Sequence, residues 1–248
     1  MLPSLNLRLV WFVQGTQAGQ ARELFSDLFG TEPDRSTQVK NTTPQSPFYE
    51  TAGGTIGNFD AEVQRQGARI DLVIQKTLAS SSNPFGAPPL MNTEEAINFL
   101  TGVVNQAKRL PVSRRVSLIV VVNSITETLD KAKSKFCDFT GFKLDLSNTS
   151  DHFFQINRRF EALNMQMNRV IQLSVTEGQS IQFSIVSGAQ SAQSVKTIPL
   201  LSITYDFNTV PNPNDAPYSL DLQKQIISRI ADEHIRAISA ENLEFLKG

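Results

Sequence analysis

From Leu163 to Val175, and again from Ile181 to Ile185, apolar side chains recur at every second position except Arg169, with Asn, Gln, Ser and Val between them. Met165, Met167, Ile171, Leu173 and Phe183 belong to this series. A period of two marks a strand with one buried face and one wet face. A chain built this way must fold around a largely antiparallel sheet that is apolar on one side. Shorter segments obey the same rule: Phe59, Ala61 and Val63; Ile70, Leu72 and Ile74; Leu201, Ile203, Tyr205 and Phe207. Leu7–Gln14 and Arg115–Asn123 are nearly continuous runs of β-branched, aliphatic and aromatic residues and read as central strands, with a short strand near His152–Arg158.

Four other segments carry the helical period. Ala21, Leu24, Phe25 and Leu28 line one face of a helix from about Gln17 to Phe29, stopped by Gly30. Ala96, Ile97, Leu100, Val103, Val104 and Ala107 line a second, opened by Asn92 with Glu95 and ended before Pro111. Leu129, Ala132, Phe136 and Phe139 follow a Ser124–Glu127 capping pair and stop at Gly141, and a last helix spans about Ser219–Ser239. The expected class is therefore α+β, a sheet whose apolar face is covered by four amphipathic helices.

Facing residues of an antiparallel pair share a face, so parity limits the register. For the first hairpin the expected pairs are Val63 with Ile70, Ala61 with Leu72 and Phe59 with Ile74, leaving Gln66-Gly67 as the turn and Glu62 opposite Asp71. For the second, Val175 is expected opposite Ile181 and Leu173 opposite Phe183, with Glu177-Gly178-Gln179 as the connection. The order strand, helix, short strand, hairpin then occurs twice, and a shift of 111 positions lays Ala21 on Ala132, Phe25 on Phe136 and Gly30 on Gly141. The expected organisation is a first half over residues 1–76, a Pro/Ser-rich linker over 77–91, and residues 92–248 holding a connecting helix, the second half and the C-terminal helix, either as two lobes or as one continuous domain.

The charge balance gives no overall pull on a charged partner and leaves room only for a local patch. With 23 Lys+Arg against 24 Asp+Glu the net charge is −1, which gives no overall field for nucleic acid or an anionic membrane. One Cys excludes a disulfide framework and a Cys-rich zinc site. No apolar run has the length of a membrane span, and Arg8 interrupts the N-terminal one, so neither a span nor a secretory leader is expected and the expected compartment is the cytoplasm. Ser, Thr, Asn and Gln make up 75 of the 248 residues, a composition that suits a broad, uncharged protein interface.

The repeated strand-helix-hairpin order is similar in outline to the vicinal-oxygen-chelate modules, and that resemblance implies a cup with metal ligands on the first and last strands of each module. Here those strands offer Gln14, Asn123, Asp71, Gln75, Gln182 and Ser184, an amide-rich set that holds a divalent ion poorly, so no metal and no cofactor are expected. Gly53-Gly54-Thr55-Ile56-Gly57 does not open a helix and lacks the geometry of a phosphate loop. Cys137 sits in the last turn of its helix, where the dipole disfavours a thiolate, and reads as a packing residue. His152 beside Asp151 is the candidate acid/base pair, and His234 reads as a buried structural histidine.

The middle of the chain is locally basic, with eleven Lys/Arg against six Asp/Glu between Lys108 and Arg169. Asn157, Arg158, Arg159, Asn168 and Arg169 are candidates for gripping an anion. Arg169 falls on the apolar face between Met167 and Ile171, so it must meet a buried carboxylate, reach a groove or mark a bulge. The opposite face presents Asn164, Gln166, Gln172 and Gln182, the candidates for a protein interface. The leading expectation is a non-catalytic binding or assembly protein, a homo-oligomer or a subunit of a complex. An anion or nucleic-acid binder and a small-ligand enzyme are the alternatives.

Overall fold

The computed structural model describes residues 2–13, 20–43, 47–77, 89–186, 189–211 and 216–247, with backbone alone for Lys247 and for the strand residues between 179 and 196. Nine strands and four helices follow in the order β1 (Ser4–Val13), α1 (Gln20–Phe29), β2 (Arg35–Gln38), β3 (Glu50–Ile56), β4 (Phe59–Gln66), β5 (Arg69–Lys76), α2 (Thr93–Gln106), β6 (Ser113–Ile125), α3 (Leu129–Thr140), β7 (Phe153–Ala162), β8 (Met165–Val186), β9 (Ala189–Thr209) and α4 (Leu220–Ala240). All strands join one antiparallel sheet in the order β2-β3-β4-β5-β1-β6-β9-β8-β7. The class is α+β, with the helices packed on one face.

Parity decides which face each strand buries. Leu7, Leu9 and Trp11 of β1, Leu72 and Ile74 of β5, Val116, Leu118 and Val120 of β6, and Ile203, Tyr205 and Phe207 of β9 all join one core with Phe25, Ile97, Leu100, Phe136, Ile226 and Ile230 from the helices. β1 pairs with β6 over residues 4–13 and 113–122, so segments on either side of the Pro/Ser-rich stretch share one sheet and one core. Residues 78–88 of that expected linker lie outside the described residues.

Both hairpins differ from the expected registers. In the first, Val63 faces Leu72, Ala61 faces Ile74 and Gln64 faces Asp71, a slip of two residues that keeps every side chain on its expected face. The turn is Gly67-Ala68, and Gly67, at φ 53°, takes the first central position, where a two-residue hairpin turn accepts glycine. In the second, β8 runs straight through Glu177-Gly178-Gln179 and the chain reverses between Val186 and Ala189. Val175 therefore faces Leu201, and Leu173 faces Ile203. Gly178 sits within a strand rather than in a turn, since pairing with Ile198 needs no left-handed residue there. Beyond Leu200 the β8–β9 pair continues as a two-stranded ribbon, with no third strand beside it among the described residues.

The helix boundaries follow their caps. Asn92 accepts from the Glu95 amide and Ser219 from the Leu222 amide. α3 is capped by Thr128, not Ser124, because β6 stays paired to β9 as far as Ile125. Gly141 closes α3 at φ 74°. Gly53-Gly54 belongs to β3, an element with no apolar alternation to announce it. A side chain there would collide with Asp34 and Arg35: Asp34 Oδ2 lies 2.9 Å from a Cβ placed on Gly54, and an Arg35 nitrogen 3.0 Å from one on Gly53. That close approach lets Asp34 accept from the Thr55 amide and lets Arg35 bind Asp60 bidentately at 3.0 and 2.8 Å.

Candidate functional site

The face of the sheet away from the helices carries a row of polar and charged side chains across six strands. Cross-strand pairs share a face, and the register sets Phe12 between Arg69 and Arg115, Val10 between Asp71 and Ser117, and Asn208 between Ser117 and Asn168. Asn157 Nδ2 donates to Asn168 Oδ1 at 3.3 Å, and Asn168 Nδ2 to Asn208 Oδ1 at 3.0 Å. Asn208 Nδ2 in turn donates to Asp206 Oδ1 at 2.9 Å, and that oxygen also accepts from Ser117 Oγ at 2.5 Å.

The row continues over β6, β1 and β5. Arg115 lies over the Phe12 ring, 4.5 Å from its centroid, and Arg69 stands 6.0 Å from the same ring. Arg69 binds both oxygens of Asp71 at 2.6 and 2.8 Å, and Arg8 adds a bond at 3.3 Å. Asp71, Ser117 and Asn208 are buried beneath these longer side chains. Asp71 thus receives its cations from its own strand and from β1, while Gln64 rather than Glu62 stands opposite it.

The five anion candidates do not converge. Arg158 and Arg159 point to opposite faces of β7; Arg159 and Asn157 share the open face with Asn168. Arg169 faces the helices, where Nε and Nη2 bond Glu233 Oε2 at 3.0 and 2.6 Å and the guanidinium covers the Phe160 ring at 4.1 Å. Of its three sequence options it takes the buried carboxylate. Glu233 also accepts from Arg229 and Arg236 through Oε1, at 2.6 and 3.0 Å.

Among the interface candidates, Gln166 and Gln172 stand on the open face, with Gln172 bonded to Gln155 at 2.8 Å. Asn164 is instead a turn residue: with Leu163 it forms the β7–β8 reversal, at φ 57° and 55°. Gln182 lies in the ribbon, and its side chain is outside the described residues. Asp151 and His152 take separate partners, Ser150 Oγ at 2.8 Å and Thr149 Oγ1 at 2.6 Å. His234 is buried with its ring nitrogens 2.8 and 3.3 Å from the Ile230 and Tyr205 carbonyl oxygens, and burial pushes it down to about 4. Of the chelate positions, Asn123 Oδ1 is buried without a partner, Asp71 is held by arginines, and Gln14 lies outside the described residues. Among the described residues no cluster of three His, Cys, Asp or Glu could hold a metal, and no helix is long and apolar enough to cross a membrane.

Sequence reading missed Arg8, Phe12, Arg69, Arg115, Ser117, Asp206 and Asn208 as members of one site. Their signal was parity: each sits at a position whose neighbours fill the core, so each had to face away from it.

The second feature is the edge strand β7. Its outer side pairs with no strand among the described residues, and three large apolar side chains lie on it or just before it, Phe142, Leu144 and Phe153, at 40, 59 and 63% exposure. Neither a scan against protein-family models nor a search of curated proteins matches this chain to a known family.

Proposed function

We propose that the chain is a non-catalytic assembly protein that pairs with a second copy of itself along β7. One observation carries this reading. The sheet order is β2-β3-β4-β5-β1 on one side of centre and β7-β8-β9-β6 on the other, so β7 holds the place that β3 holds in the first half. There, β2 covers the outer edge of β3, whereas the segment between α3 and β7 contributes no strand. The reading takes the two halves as related units, one of which leaves its edge for a partner.

The ten-residue edge strand contains no proline and no lysine; its charged residues are Arg158, Arg159 and Glu161. Its sequence also suits a two-fold partner. A dyad centred on Asn157 sets Phe154 opposite Phe160 and Arg159 opposite Gln155, with no like charges facing.

Light scattering behind size exclusion tests the proposal. The wild type is expected at twice 27.5 kDa. Asn157→Lys, which sets two ammonium groups face to face at the dyad of an exposed position, is expected to shift the mass to the monomer without altering the circular dichroism spectrum. A monomeric wild type, or an Asn157→Lys dimer as tight as the wild type, overturns it.

A further inference from the structure

We propose that the open face binds an oxyanion, the carboxylate or phosphate group of a small polar ligand, at Arg115. The arginines of this face are not equivalent. Arg69 and Arg8 are committed to Asp71, and Arg35 to Asp60 and Glu62. Among the described residues Arg115 has no carboxylate at ion-pair distance. Among the same residues its guanidinium makes one hydrogen bond, to Asn208 Oδ1 at 3.5 Å, and its Nε is buried with no partner.

A guanidinium offers five donors and no acceptor, and withdrawing it from water without a counter-charge is unfavourable. Stacking on Phe12 at 4.5 Å holds the plane of Arg115 in place but satisfies none of its N–H groups. The nearest carboxylates along the row are engaged: Asp71 by Arg69 and Arg8, Asp206 by Ser117 and Asn208. An external oxyanion completes the arrangement. The fork of a fixed guanidinium matches two oxygens of a carboxylate or phosphate, and Arg69, on the far side of Phe12, adds positive potential.

Asn208 is a positioning residue here. It is buried, locked to Asp206 and Asn168, and its carbonyl oxygen sets where the Arg115 guanidinium lies. Arg115 lies on β6, three strands from β7 and beside the central strand β1.

The test is titration of the intact chain, at low ionic strength, with inorganic phosphate in one arm and acetate in the other, read on the arginine Nε–Hε NMR signals. One arginine signal, absent from Arg115→Lys, is expected to move and saturate. Affinity is expected to fall at least tenfold in Arg115→Gln and severalfold in Arg115→Lys, while Arg159→Gln, on the same face, is unaffected. Movement with phosphate alone assigns a phosphate-bearing ligand, and with acetate alone a carboxylate. The proposal is overturned if neither anion moves the Arg115 signal, or if Arg115→Gln, with its amide spectrum otherwise intact, binds as tightly as the wild type.

Discussion

Arg169 on β8 and Glu233 on α4 form an ion pair whose side chains are 4% and 1% exposed, and it ties the sheet to the C-terminal helix. Removing Arg169 leaves buried Glu233 with only the more exposed Arg229 and Arg236 as counter-charges. Arg169→Met is expected to lower the unfolding free energy by about 3–5 kcal/mol in urea titrations. Arg229→Ala and Arg236→Ala, at 40 and 54% exposure, are expected to cost about 0–1 kcal/mol each, because water screens them. Equal losses for all three would refute the distinction.

His234 gives a pH dependence with a definite sign. Its folded value of about 4 lies below the ordinary 6.5, so between these limits the unfolded chain takes up a proton that the folded chain refuses. Stability therefore falls as pH drops from about 6.5 to about 4, by roughly 3 kcal/mol from this group. Urea midpoints measured at pH 7, 5.5 and 4.5 are expected to show a shallower decline in His234→Gln than in the wild type.

Two glycines with equally open surroundings are expected to respond in opposite directions to alanine. Gly141 caps α3 at φ 74°, and a Cβ there would meet nothing within 4 Å, so Gly141→Ala costs only the left-handed backbone, about 1–2 kcal/mol. Gly102 lies inside α2 with the same free space and no positive φ, so Gly102→Ala is expected to stabilise by about 0.5–1 kcal/mol. Thermal melts of the two variants decide the signs.

The β8–β9 ribbon is expected to be dispensable for the fold. Its strands past Leu200 pair only with each other among the described residues. Replacing residues 180–196 with Asn-Gly, which joins the paired residues Gln179 and Thr197, is therefore expected to leave the melting temperature within about 2 °C, as befits a segment that pairs only with itself. A large drop would mean that the ribbon contributes to the core.

Much of this fold was legible because the side-chain period of a strand survives any register. The slip of the first hairpin by two residues left Val63 and Leu72 in the core, so the face assignment held while the pairing did not. β3 was illegible, since Gly53 and Gly54 serve a close approach by Asp34 and Arg35, a need that no periodicity expresses. The expected turn at Gly178 failed for a related reason: glycine permits a reversal without compelling one.

The candidate site was less legible. Arg158 and Arg159 are adjacent in sequence and point apart, whereas Arg69, Phe12 and Arg115 come from three distant segments and stand side by side. That Arg169 needed a buried partner followed from its place between Met167 and Ile171; that the partner is Glu233 followed only from α4 packing behind β6 and β9, within reach of the Arg169 side chain.

What the sequence by itself determined is the two-faced character of the alternating strands, the four amphipathic helices and most of their caps, because these depend on side-chain spacing within about one or two turns of chain. What the tertiary structure decided is which strands are neighbours, where β8 turns back, and which charges meet. Those outcomes depend on hydrogen bonds and ion pairs between residues 60 to 100 positions apart, such as Arg8 with Asp71 and Ser117 with Asp206, whose partners local spacing leaves open.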